Sequence, residues 1–110
     1  MGYDQELAQR IRGLLAGEPG ITEKAMFGGL AFMVDGHMAV AAAGQDGTMV
    51  HVDEATASRL TERDGIGPMI MRGRPLREWV LADPAVLDDA TLAELVALGL
   101  GWARSQPPKG

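Results

Sequence analysis

A chain of 110 residues, 46% of them hydrophobic, is long enough for one domain with a core of its own and is far from disordered composition. It has no cysteine, no basic stretch leading into a long apolar run, and no apolar segment of the ~18 residues a bilayer requires, which excludes a disulfide framework, a signal peptide and a membrane span and points to the cytoplasm. A net charge of −5 with only 5% aromatic residues opposes both a non-specific grip on nucleic acid and a stacking platform for single strands.

The first predicted element is a helix over residues 3–15. Leu7, Ile11, Leu14 and Leu15 recur at the helical period on one face, Asp4 is placed to cap it, and Gly17 followed by Pro19-Gly20 closes it. Residues 22–26 then lead into the sheet. Residues 27–34 are all apolar or glycine, which predicts the first strand, apolar on both faces and in need of two covers. Asp35-Gly36 predicts a type I′ hairpin turn, because both central positions of that turn need positive φ. The returning strand covers 37–43, a turn covers 44–47, and a third strand covers 48–52.

Asp53 is the predicted cap of a short helix over 54–63, whose apolar content is thin. After a loop over 64–68, residues 69–71 and 78–81 predict two further strands, joined at Gly73-Arg74-Pro75. Pro84 suits the first position of a helical turn. The last helix is expected over 90–104, capped by Asp88 or Asp89, with Leu92, Leu95, Val96, Gly99, Trp102 and Ala103 facing inward. Gly99 on that face predicts a close approach to the sheet that offsets the ~1 kcal/mol glycine costs a helix. Residues 105–110 are expected to fray. The reading is one α+β domain over residues 1–110, two-layered, with five antiparallel strands in the order α-β-β-β-α-β-β-α.

Lys24-Ala25-Met26-Phe27-Gly28-Gly29, then Phe32-Met33 and Gly36, resembles the signature of the TfoX N-terminal domain family. The first helix, with Leu7, Arg10-Ile11-Arg12 and Leu15, is similar to the family's, as are Pro68-Met69, Gly73-Arg74-Pro75 and Trp79-Val80. The resemblance implies a two-layer fold similar to type III secretion chaperones, and kinship with regulators of DNA-uptake competence. In the longer regulators this domain precedes a second, C-terminal one, which a sequence ending at Gly110 is expected to lack. The family supplies no catalytic residues.

Candidate chemistry is sparse. Gly28-Gly29 could bind an anion through its backbone, but a phosphate loop leads into a helix and here a strand follows, so close packing or a bulge explains the pair better. His37 and His51, the only imidazoles, are expected on neighbouring strands and could hold a metal with Asp35 or Asp53. Structural zinc takes four ligands and the usual cysteines are missing, so neither metal nor cofactor is expected. Seven methionines, among them Met26, Met33, Met38, Met69 and Met71, suit an irregular core or an adaptable partner surface. Arg72, Arg74 and Arg77 cluster at one turn. The candidate binding residues are Lys24, Phe27, Gly28, Gly29, Arg72, Arg74 and Arg77. The leading expectation is a non-enzymatic, cytoplasmic regulatory or protein-interaction module, a homodimer, without direct nucleic-acid or membrane binding. The alternative is a small-molecule or anion site formed by Lys24, Arg74 and the Gly28-Gly29 backbone.

Overall fold

The computed structural model describes residues 4–26, 28–43 and 47–107. The elements run α1 (Gln5–Leu14), β1 (Ile21–Met26), β2 (Gly29–Val34), β3 (His37–Ala42), β4 (Thr48–His51), α2 (Glu54–Leu60), β5 (Ile66–Met71), β6 (Arg74–Ala82), a 3-10 turn at Pro84–Val86, and α3 (Asp89–Ser105). The strands form one sheet in the order β1-β2-β3-β4-β6-β5, antiparallel throughout.

The sheet therefore has six strands, not the expected five, and the element order gains a strand near its start. The predicted lead-in over 22–26 is an edge strand in its own right. Met26 pairs with Gly29, and Gly28 at φ +75° helps reverse the chain between them. The predicted strand over 27–34 thus begins at Gly29 and is the second of the sheet. A Cβ on Gly29 would stand 2.5 Å from the Ala42 carbonyl oxygen, so close packing accounts for that glycine. Phe27 lies outside the described residues.

The other hairpins are instructive. Asp35 and Gly36 take φ +52° and +88°, the left-handed pair a type I′ turn requires. The β5–β6 turn is Arg72-Gly73, at φ +55° and +78°, and Arg74 already belongs to β6; the expected Gly73-Arg74-Pro75 turn is displaced by one residue. Of the turn expected over 44–47, residues 44–46 lie outside the described residues; Ala43 N–H donates to the Gly47 carbonyl at 2.8 Å.

Helix starts follow their caps. Asp4 accepts from the N–H groups of Glu6 and Leu7, Asp53 from Thr56 and Asp88 from Thr91. The short helix ends at Leu60, earlier than expected, and the last helix runs one residue further at each end. Leu14, expected on the inner face of α1, is 43% exposed, and Ala8 is buried instead. The chain beyond α3 is tied down at least to Pro107, whose carbonyl lies 2.7 Å from His37 Nε2.

All three helices pack on one side of the sheet. Leu7, Ala8 and Ile11 of α1, Ala57 and Leu60 of α2, and Leu92, Leu95 and Val96 of α3 share one core with Leu30, Phe32, Val40, Ala42, Val50, Val80 and Ala82 of the strands. The strand residues in that core alternate, as a sheet covered on one face requires. A register shift between Phe32 and Met33 leaves Ala39 unpaired on β3, and its carbonyl oxygen is the atom nearest to a Cβ built on Gly99. The expected close approach of α3 occurs at this bulge. Arg104 anchors the C-terminal end of α3, donating to Asp35 at 2.9 Å and to the Pro19 carbonyl at 2.7 Å. Among the described residues no helix is long and apolar enough to cross a membrane.

Candidate interaction surface

The residues between the core positions define the opposite face. Register places Lys24, Ala31, Ala41, Met49, Leu81 and Gly67 in one row across all six strands. Met33 and Met38 pair in the next row. Neither core cluster includes any of these residues. Ala31 and Ala41 are buried, whereas Met33, Met38, Met49 and Leu81 are only partly buried. The accessible part of this face is therefore apolar but limited to Leu81 and three unbranched thioethers, which can repack around a partner. Lys24 stands at its edge, exposed, on β1.

A second feature lies where β3, β4, β6 and α3 meet. His51 and Trp79 are register partners and stack at 4.2 Å between ring centroids. Trp102, reaching from α3, stacks on His51 at 3.4 Å and meets His37 edge-on at 5.7 Å. His51 Nε2 lies 3.4 Å from Glu78 Oε1. Burial among the rings holds the imidazole below its ordinary pKa, and the Glu78 carboxylate offsets this only in part. The two imidazoles meet Trp102 rather than a shared carboxylate: Asp35 pairs with Arg104, and Asp53 caps α2. Among the described residues no three histidine, cysteine or acidic side chains are grouped to hold a metal.

The basic residues divide into two places. Arg74 and Arg77 line one cavity with α2, and Arg72 sits in the adjoining turn. Lys24 and Gly28-Gly29 belong to the other end of the sheet. Four strand spacings separate β1 from β6, roughly 19 Å at the usual inter-strand distance. Lys24 and Arg74 are not brought together around one small ligand.

Sequence reasoning had not singled out Met49, Leu81, Ala31 and Ala41 as one row of the sheet's second face, nor Trp79 and Trp102 as partners of His51. The first group is visible in the alternation along each strand once the register is known. The contacts of Trp102 with the two histidines join positions far apart in the chain and leave no local signal.

A family model described as TfoX N-terminal domain matches residues 13–102. Comparison with curated proteins and with solved structures returns no match.

Proposed function

Because the chain belongs to the TfoX N-terminal domain family, we propose that it is a regulatory protein-interaction module of the kind competence regulators carry. In this reading it is cytoplasmic and non-enzymatic, and it pairs as a homodimer through the uncovered face of its sheet. One observation carries the proposal: helices cover one side of the sheet, while Met33, Met38, Met49 and Leu81 stay part-exposed around the buried Ala31 and Ala41 on the other. Ala31 and Ala41 are already buried in the single chain, so the gain from a second copy comes from the part-exposed Met33, Met38, Met49 and Leu81, at about 25 cal/mol per Å² of apolar surface removed from water. An isologous pairing presents the same patch twice, so each Met49 would sit in the apolar centre of the joint. The net charge of −5 supports action through proteins rather than through a phosphate backbone.

Light scattering at micromolar concentration tests the proposal. The expected mass is twice the 11.6 kDa of the chain, and Met49→Glu is expected to return the monomer with an unchanged circular dichroism spectrum. A wild-type monomer, or a Met49→Glu protein that still dimerises, would overturn this reading.

A further inference from the structure

We propose that the cavity between α2 and the β5–β6 hairpin binds a phosphomonoester carrying a planar ring, a site independent of the sheet face described above. The cavity measures about 470 Å³, within the ordinary range for small-molecule sites. Its walls differ in chemistry. Arg74, Arg77 and the hydroxyl-bearing Ser58 supply donors, while Leu76 and Trp79 supply an apolar and aromatic wall.

The charge of the lining runs against that of the chain. Two guanidiniums face one carboxylate, Glu54, in a protein of net charge −5. Arg74 has no ion pair or hydrogen bond with any described residue. Arg77 has only Glu54, at 3.9 Å, with its side chain 82% exposed. A pair that loose and that wet holds the guanidinium weakly. Both side chains line the same cavity without a firm partner among the described residues, and a phosphate is the group whose geometry and charge two arginines match best. Trp79 is held in place by its stack on His51, so the aromatic wall is fixed before any ligand arrives. A ring set against Trp79 with its phosphate on Arg74 and Arg77 uses both halves of the cavity. Inorganic phosphate or a bare nucleoside uses only one.

Calorimetric titration tests the site, with AMP, UMP and 1-naphthyl phosphate as probes and with adenosine and inorganic phosphate as controls. We expect saturable one-to-one binding of at least one ring-bearing monophosphate. It should bind about tenfold tighter than either control, and Arg74→Ala/Arg77→Ala should weaken it about tenfold or more. Both arginines are exposed, so the double variant retains the fold, which circular dichroism checks. Absence of saturation with all three probes overturns the proposal. So does equal binding by the double variant, and so does inorganic phosphate binding as tightly as the ring-bearing compounds.

Discussion

Gly99→Ala tests the packing of α3 on the sheet most sharply. A Cβ built there stands 2.6 Å from the Ala39 carbonyl oxygen and 3.2 Å from Val50 Cγ1. The first contact is with backbone, which cannot swing aside, so α3 must lift by a large fraction of an ångström. Leu95, Val96 and Ala103, all buried on the same helix, lift with it. Overpacking of this kind costs about 1–3 kcal/mol, against a gain of ~1 kcal/mol from replacing glycine by alanine in a helix. The net expectation is a loss of about 0–2 kcal/mol, or a fall in Tm of up to roughly 12 °C for a domain near this size. Gly101 is the internal control. It lies two residues along α3, exposed, with nothing within 4 Å of a Cβ, so Gly101→Ala should gain ~1 kcal/mol from helix propensity alone. Urea titrations of the two variants, with m-values compared, separate the terms. A Gly99→Ala protein stabilised by as much as Gly101→Ala would refute the close approach of α3 to the Ala39 bulge.

Three further outcomes are expected. Thr48 is fully buried and its hydroxyl has no hydrogen-bond partner among the described residues, so Thr48→Val should stabilise the fold by about 1 kcal/mol in urea melts; destabilisation would show that the hydroxyl is bonded after all. Arg72 holds φ +55° in the β5–β6 turn, where an ordinary side chain costs about 1 kcal/mol and asparagine less, so Arg72→Asn should raise Tm by a few degrees. His51, held below its ordinary pKa by burial, favours the neutral ring in the folded state. The unfolded chain takes up its proton first as pH falls below about 6.5. Stability from this group is therefore complete above that pH and is lost as the pH drops through the folded-state value. His51→Gln should flatten the pH dependence of stability in that window, and an unchanged slope would count against the burial of the imidazole.

Local chemistry made much of this fold readable. Asp4, Asp53 and Asp88 announce helix starts because a short acidic side chain satisfies orphan N–H groups there. Asp35-Gly36 announces its hairpin because few residue pairs accept two positive φ angles. Gly99 announces a close helix–sheet contact because nothing else justifies its cost. The split between β1 and β2 was hidden because the apolar run continues straight through the turn at Gly28. Ile21–Met26 carries Thr22, Glu23 and Lys24, polar residues that guard an edge strand but read as a loop. Arg72 disguised its turn, being a poor left-handed residue. The candidate site was less legible for a topological reason. The order β4-β6-β5 puts Lys24 and Arg74 far apart, although both are basic and near turns. It also aligns Met49 with Leu81, 32 positions along the chain, in one apolar row.

That row is the centre of the functional account, and its methyl groups report on it directly. With methionine methyls carbon-13 labelled, a dilution series through the micromolar range should shift the signals of Met33, Met38 and Met49, while the signal of Met71, exposed at the β5–β6 turn, stays in place. Signals from the three sheet-face methionines that do not move with concentration, in a protein whose mass stays at 11.6 kDa, would contradict the assignment of this face as the surface that pairs.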